Sequence, residues 1–357
     1  MSESRLVVLI PAHDEEGSIA HTVSAVLDQE RPADLVVVVP NGCSDRTAEV
    51  AREFPVEVLE LPRLAHRKSE ALNRAWLQYA QDADVVVCLD ADTELPPNAL
   101  GDWEEQMLAD GKLGGLSSKF TMQAPDLLSR IQKAEFATWT QTALDRGSTS
   151  VLAGTGCAIR GEALRRLAAR NDREGPWSYM SATEDFEITY RIRELGYYCA
   201  VSPTVRAYTD SMKTVRALWG QRMKWQVGTV KDLMHFGLNR LTLRDWLQQA
   251  ACVFNVFAKA LLVAFWVALI ATGSATFIWF WWALPAVFIG LDYVRSRSIP
   301  HRDWKDTLLA LTFFPMEAFM WLRAAWVSVA WFKALSGSKA DLWGAQYAAE
   351  GAGNVRF

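Results

Sequence analysis

The sequence predicts an α/β domain with a mainly parallel sheet, followed by a C-terminal region of membrane helices. Three observations carry this. Short apolar runs alternate with amphipathic stretches up to about residue 210, the pattern of strands buried on both faces and separated by helices. Past about residue 245 the text changes, and 260–291 holds no charged residue, where one spanning helix needs only about 20 apolar positions. Tryptophan shifts the same way, with about half of the 16 lying after residue 265.

The elements follow in order. Continuous apolar runs at 6–10, 35–39 and 85–89, and a mixed run at 56–61, read as strands. Amphipathic stretches at 18–29, 44–54 and 68–81 read as the helices between them, and a further one spans 188–195. In such sheets the ligand sits beyond the carboxyl ends of the strands, so the turns after the strands are where chemistry is expected.

The uncharged run breaks at Thr272-Gly273-Ser274, which predicts a helical hairpin with arms at about 250–271 and 275–291. Asn255 and Lys259 fall early in the first arm, where a lysine can snorkel to the headgroups. A third apolar stretch, 307–332, carries Glu317 and Arg323 and is open between spanning, re-entering and lying along the interface. Arg295, Arg297, Arg302 and Lys305 join the second and third stretches and would be cytosolic by the positive-inside rule. Trp279, Trp281 and Trp282 suit an aromatic belt. The alternative is a buried hairpin in a soluble oligomer. The expected organisation is a catalytic domain over 1–230, an interfacial linker over 231–249, membrane helices over 250–335 and a tail over 336–357.

Composition narrows the class. The 357 residues allow one large or two ordinary domains. A net charge of -4 gives no sign of a nucleic-acid partner. Cys43, Cys88, Cys157, Cys199 and Cys252 form no close pair and are odd in number, which predicts free thiols in a reducing compartment. The polar N-terminus runs straight into the first strand, with no secretory signal. The catalytic part is therefore expected in the cytosol, at the inner face of the cell membrane.

Five motifs carry chemistry. Cys88-Leu89-Asp90-Ala91-Asp92-Thr93 ends an apolar strand in two carboxylates separated by one residue. Extended backbone points such a pair to one side, where Mg²⁺ or Mn²⁺ can share them with phosphate oxygens and neutralise a departing diphosphate. A polar strand end that caps the next helix is the plain alternative. Leu9-Ile10-Pro11-Ala12-His13-Asp14-Glu15-Glu16 follows the first strand; its backbone can meet a nucleotide base, or its acids can simply face a helix N-terminus. Asn41-Gly42-Cys43-Ser44-Asp45-Arg46-Thr47 follows the second strand. There Asn-Gly makes the turn, Ser44 can cap the helix, and Asp45 is placed to accept from a base. In Ser181-Ala182-Thr183-Glu184-Asp185-Phe186-Glu187 a carboxylate can act as general base, or Thr183 caps the helix and the acids complement its dipole. Gln221-Arg222-Met223-Lys224-Trp225 sets cations beside an indole, which suits phosphate binding and sugar stacking, or an interfacial basic-aromatic helix.

Taken in order, Pro-Ala-x-x-Glu-Glu, Asn-Gly-x-Ser-Asp, Asp-Ala-Asp, Thr-Glu-Asp and Gln-x-x-Lys-Trp resemble the family 2 inverting glycosyltransferases of the GT-A fold, nearest in pattern to membrane β-glycan synthases of cellulose, chitin, hyaluronan and poly-N-acetylglucosamine. Lys68-Ser69-Glu70-Ala71-Leu72-Asn73 and Ala153-Gly154-Thr155-Gly156-Cys157-Ala158-Ile159-Arg160 extend the resemblance, which covers about residues 5–230.

The resemblance implies a Rossmann-like catalytic domain and a UDP-sugar donor, held by Pro11, Ala12, Glu15, Asn41, Asp45, Lys68 and Asp90. Asp92, with Asp90, would bind Mn²⁺ or Mg²⁺. Asp185, next to Glu184, would be the catalytic base. Gly154, Thr155 and Gly156 would lie beside the acceptor. Gln221 and Trp225 would hold the acceptor sugar, and Lys224 would sit at the diphosphate, with Arg222 as its substitute. The acceptor would be a glycan, a lipid-linked group or a protein, and an oligomer is compatible with all of this.

Two departures stand out. Lys224 replaces the usual arginine before the tryptophan and loses bidentate geometry. The membrane part is also shorter than that of processive synthases, with no helices ahead of the catalytic domain, which favours adding one or a few sugars. The rival readings are a sugar nucleotidyltransferase, which would want a Gly-rich phosphate loop after the first strand, and a non-catalytic binding module.

Overall fold

The computed structural model describes residues 4–274, 283–337 and 341–351. The chain forms two compact units, Met1–Gln123 with Trp139–Ser211, and Ala124–Thr138 with Met212–Phe357.

The first unit is built on one seven-stranded sheet. Its strands are β1 (Leu6–Ala12), β2 (Leu35–Pro40), β3 (Glu57–Val58), β4 (Val85–Cys88), β5 (Leu113–Thr121), β6 (Cys157–Arg160) and β7 (Tyr198–Tyr208), in the order β3-β2-β1-β4-β6-β5-β7. β1 pairs in parallel with β2 and β4, and β2 with β3. β6 runs antiparallel between β4 and β5, and β7 closes the edge parallel to β5. Leu6, Val8 and Ile10 belong to one core cluster, while Val7 and Leu9 belong to the other. Alternate residues of β1 thus feed opposite faces, which is why a doubly covered strand reads as an unbroken apolar run.

The helices are α1 (Ile19–Leu27), α2 (Thr47–Ala51), α3 (Arg67–Ala75), α4 (Ala99–Ala109), α5 (Leu127–Arg146), α6 (Gly161–Ala168) and α7 (Glu184–Glu194). α3 continues into a π-helical turn, Trp76–Ala80. The run expected as a strand over 56–61 keeps regular pairing only at β3. The Leu59 and Leu61 amides still donate to the carbonyls of Val38 and Pro40.

Three strands escaped the reading of apolar runs, and β5 shows why. It carries Gly114-Gly115 and Ser117-Ser118 where bulky residues were expected. A Cβ on Gly114 would lie 2.5 Å from Ile192, and one on Gly115 2.5 Å from Leu152. Neighbouring side chains fill the space that a strand residue normally fills with its own.

The second unit is helical, with α8 (Val215–Phe236), α9 (Leu243–Ala271), α10 (Ala283–Ser296), α11 (Trp304–Ala310), α12 (Phe313–Leu335) and α13 (Leu342–Gly351), joined by the first part of α5. Ile131, Leu218, Met223, Val227, Phe319, Trp326 and Val327 form its core. Arg130 pairs with Asp303 at 2.7 Å and Asp306 at 2.5 Å, and Lys133 with Asp306 at 3.2 Å. These pairs tie α5 to the capping box of α11. By this division Met212 onward lies with the second unit, and α13 lies within 336–357.

α9 is long and apolar enough to cross a membrane, with only 6% of its most apolar stretch buried. It ends at Ala271, and Gly273, just past the C-cap Thr272, has a φ of +64° that suits a helix stop. Trp279, Trp281 and Trp282 lie outside the described residues, as does the start of the second hairpin arm. Lys259 does not reach outward. It is buried, pairs with Glu317 of α12 and lies 4.5 Å from the Trp321 ring.

The third apolar stretch is not one helix. α11 and α12 meet at a bend of 69°, as in a broken span or a re-entrant loop. Pro315 explains the break. It has no amide to donate to residue 311, and its ring would clash with that carbonyl.

A packing test follows from α6. A Cβ on Gly161 would sit 1.8 Å from the Ala83 carbonyl oxygen, whereas one on Gly111 meets nothing within 4 Å. Gly161→Ala is expected to cost about 3 kcal/mol and Gly111→Ala under about 0.5 kcal/mol, read as denaturant midpoints.

Candidate active site

The centre of the first unit's polar cluster is Lys68, near the start of α3. Its ammonium lies 2.5 Å from Asp90, just past β4, and 3.1 Å from Glu184, the first residue of α7. Burial alone would lower this lysine, but Asp90 and Glu184 outweigh it and hold the pKa well above the usual value. Gly154 closes over the pair. Gly154 lies in the turn before β6, and the Asp90 amide donates to its carbonyl at 2.9 Å. A Cβ on Gly154 would come within 2.7 Å of the Lys68 nitrogen and 2.9 Å of Asp90. Three elements that are distant in sequence thus share one charge cluster.

Asp92 faces a different environment. Thr93 donates to it at 3.1 Å and Thr209 at 3.4 Å. Burial, then repulsion from Asp90 and Asp210, pushes its carboxyl up to about 7. Glu15 is also raised to about 7, by burial first, while the Ser18 hydroxyl at 2.6 Å opposes the shift and Asp92, Asp90 and Asp210 add to it. The sequence reading missed Asp210 and Thr209. The only signal was an acid just after the end of a long strand, and β7 itself had not been singled out.

An oxygen-only group with this much negative charge is what a hard divalent cation binds. Burial is the larger cause of both shifts, and the repulsion between acids that adds to it would become attraction around Mg²⁺ or Mn²⁺. The residues present therefore fit such an ion.

The turns after β1 and β2 are knit together. Asp45 accepts from the Glu16 amide at 3.0 Å, and from the Thr47 amide and hydroxyl at 3.0 and 2.5 Å. These bonds outweigh its burial and lower its pKa. Asn41 is buried and accepts from the Leu64 amide at 3.1 Å. Pro11 and Ala12 close β1, in register with Val39 and Pro40. Gly42 has φ +60°, and a Cβ there would strike the Arg63 backbone at 2.6 Å, so the Asn-Gly turn admits no side chain.

Asp185 is half-buried in the first turn of α7, beside Glu184, and contributes to the raised pKa of Lys68. Thr183 occupies the N-cap position, but its side chain makes no capping bond. The Thr155 hydroxyl is buried with no partner among the described residues, and Gly156 accepts from the Ser118 amide at 2.9 Å.

Gln221, Arg222, Lys224 and Trp225 lie on α8 in the second unit. Arg222, the alternative cation for the diphosphate, lies inside the second unit. It is 3% exposed, pairs with Glu135 at 2.8 Å and stacks on Trp225 at 4.5 Å. Its guanidinium is taken up by that unit's interior. Lys224 lies 3.2 Å from the Trp343 ring centroid, and the Gln221 side-chain oxygen is buried without a partner among the described residues.

The model of glycosyl transferase family group 2 matches residues 85–294, more than half of the chain. The chain belongs to this family. This family 2 glycosyltransferase is 28% identical over 247 residues to the probable glycosyltransferase YdaM of Bacillus subtilis, covering 65% of this chain and 57% of that protein. It is 25% identical over 229 residues to poly-beta-1,6-N-acetyl-D-glucosamine synthase of Staphylococcus epidermidis, covering 62% and 53%. The match thus spans little more than half of each relative's length. The solved mannosyltransferase PcManGT of Pyrobaculum calidifontis shares the fold, with a TM-score of 0.62 and 21% identity over 94% of this chain and 88% of that one.

The acid cluster gives the glycosyltransferase a pH signature. Glu15 has a folded pKa of about 7 against an ordinary 4.5, so the folded state holds a proton that the unfolded state has lost. Stability in chelator should then fall as pH rises from about 4.5 to 7. Asp92, raised to about 7 as well, adds to the same slope, so Glu15→Gln should reduce it without abolishing it in melting temperatures taken across the range; an unchanged slope would remove Glu15 as a source.

Proposed function

We propose that this family 2 glycosyltransferase moves a sugar from a nucleoside diphosphate donor, a UDP-sugar first among them, onto an acceptor hydroxyl with inversion at the anomeric carbon. The observation that carries this reading is the division of labour around Lys68. Glu184 is buried and paired to the ammonium, which commits it to orientation. Asp185, half-buried beside it, accepts from the Phe186 amide at 2.8 Å and is proposed as the general base.

Asp185 takes the proton from the acceptor hydroxyl at a carboxylate oxygen. The freed oxygen attacks the anomeric carbon from the side opposite the diphosphate, and the bond to the diphosphate breaks as the new one forms. Holding both partners in line is the main catalytic contribution. Lys68 stays charged and fixes Asp90 on the donor side. Asp92 and Asp90 would hold Mg²⁺ or Mn²⁺, which when bound neutralises the leaving diphosphate. Pro11, Ala12, Glu15, Asn41 and Asp45 form the turns proposed to receive the nucleotide. Gly154, Thr155 and Gly156 are proposed for the acceptor side. On the motif alone, Gln221, Lys224 and Trp225 are proposed to hold the acceptor sugar and the diphosphate.

The bare face of α9 supports attachment to a membrane, with the catalytic residues on the cytosolic side of the cell membrane. A lipid-linked, glycan or protein acceptor suits that position. The nucleotidyltransferase and binding-module readings draw no support from the family or from the intact acids Asp90, Asp92 and Asp185.

The test is donor hydrolysis and transfer by the detergent-solubilised chain, across UDP- and GDP-sugars with Mn²⁺ or Mg²⁺ and with chelator. Chelator-sensitive release from one donor supports the reading; no release and no nucleotide binding overturns it. Asp185→Asn should lower transfer by about 10²–10⁴-fold with nucleotide affinity unchanged. Normal turnover by that variant would sink the base assignment.

A further inference from the structure

Two motif turns contain residues that the transfer reaction does not use. His13 and Asp14 follow β1, Cys43 follows β2, and a nitrogen of His13, a carboxylate oxygen of Asp14 and the Cys43 sulfur all lie within 4.8 Å of one another. This trio lacks the oxygen-only character of the Asp90 and Asp92 cluster. Imidazole, carboxylate and thiol together make a borderline-soft donor set, the kind that takes zinc and not magnesium.

The surroundings hold each donor in place. The Asn41 carbonyl can only accept, so the 2.8 Å contact to His13 Nδ1 makes that nitrogen the donor and puts the lone pair of the neutral ring on Nε2. A backbone carbonyl on the far nitrogen is the usual orienting partner of a metal-bound histidine. His13 Nε2 lies 3.9 Å from Asp14 Oδ2. The other oxygen, Asp14 Oδ1, accepts from the Ser44 amide at 2.6 Å, and Asp14 holds a left-handed φ of +57°. That conformation is uncommon outside glycine and costs energy; here it turns the carboxylate toward the second loop. The Cys43 thiol faces the Ala12 carbonyl at 3.7 Å, so all three donors converge where the two turns meet.

We propose that a ring nitrogen of His13, a carboxylate oxygen of Asp14 and Cys43 Sγ form a second metal site, for Zn²⁺ or a chemically similar transition metal. Zinc bonds of about 2.0–2.3 Å at tetrahedral angles place ligand atoms roughly 3.3–3.8 Å apart. The trio needs a contraction of up to about 1 Å to reach that spacing, which half-buried and exposed side chains in two turns can make. The thiol gives its proton to solvent on binding, and water completes the fourth position. The bound ion joins the turn after β1 to the turn after β2, in line with the Asp14–Ser44 bond already there. The ion bonds none of the residues given a part in transfer, although it joins the two turns proposed to receive the nucleotide, and its binding is read without turnover.

The probe is Co²⁺, titrated into the full-length detergent-solubilised chain with excess Mg²⁺ present to fill the oxygen-only cluster. One equivalent should produce a thiolate-to-metal charge-transfer band that Zn²⁺ removes. Cys43→Ser should abolish the band, and His13→Gln should weaken Zn²⁺ binding at least about tenfold. Zn²⁺ should also protect Cys43 of the unaltered chain from alkylation, mapped by mass spectrometry, a readout that needs no variant to fold. A full band in Cys43→Ser, no band in the unaltered chain, or no protection of Cys43 would each overturn the proposal.

Discussion

The buried ammonium of Lys68 is the constraint on which the first unit's site depends. A lysine taken out of water costs several kcal/mol unless opposite charges meet it. Asp90 and Glu184 meet it, at 2.5 and 3.1 Å, and in doing so fix the end of β4 and the start of α7 against α3. Gly154 belongs to the same arrangement, because any side chain there would enter the space the ion pair occupies. The two acids at the start of α7 differ in burial, with Glu184 buried and Asp185 half-buried. Glu184 is spent on the lysine, and Asp185 sits one residue further along the same helical turn.

The opposite electrostatic regime lies next to it. Asp92, Glu15 and Asp210 have no comparable cation among the described residues, and burial first, then repulsion between the acids, raises both Asp92 and Glu15 to about 7. One strand end therefore carries two aspartates under contrary fields. Asp90 faces a fixed ammonium, and Asp92 faces other acids. This asymmetry is the physical basis for reading one as a partner of the donor and the other as a ligand of a cation.

The second unit solves a different problem, that of charges within an apolar helical bundle. Arg222 and Arg323 share Glu135 at 2.8 and 3.8 Å, Lys259 meets Glu317, and Arg130 and Lys133 meet Asp306. Each charge that the sequence showed as an anomaly in an apolar stretch is neutralised by a partner on another helix. The face of α9 that carries no such charge is left bare, as a lipid-facing surface would be.

Much of this was legible in the sequence. Doubly buried parallel strands must be continuous apolar runs, so β1, β2 and β4 were found to within two residues, and the turns that follow them carry the motifs. What was hidden had a non-local cause. β5 has glycines because Leu152 and Ile192 occupy the places of its side chains, and Asp210 is recognisable only once β7 lies at the sheet edge. Arg222 pairs with Glu135, 87 residues away, a partner that no local pattern shows. Local pattern records which face of an element is apolar, because that depends on period alone. Which charges meet, and so which acid is a base, a cation ligand or a strut, depends on approach between distant segments, and only the tertiary structure decides it.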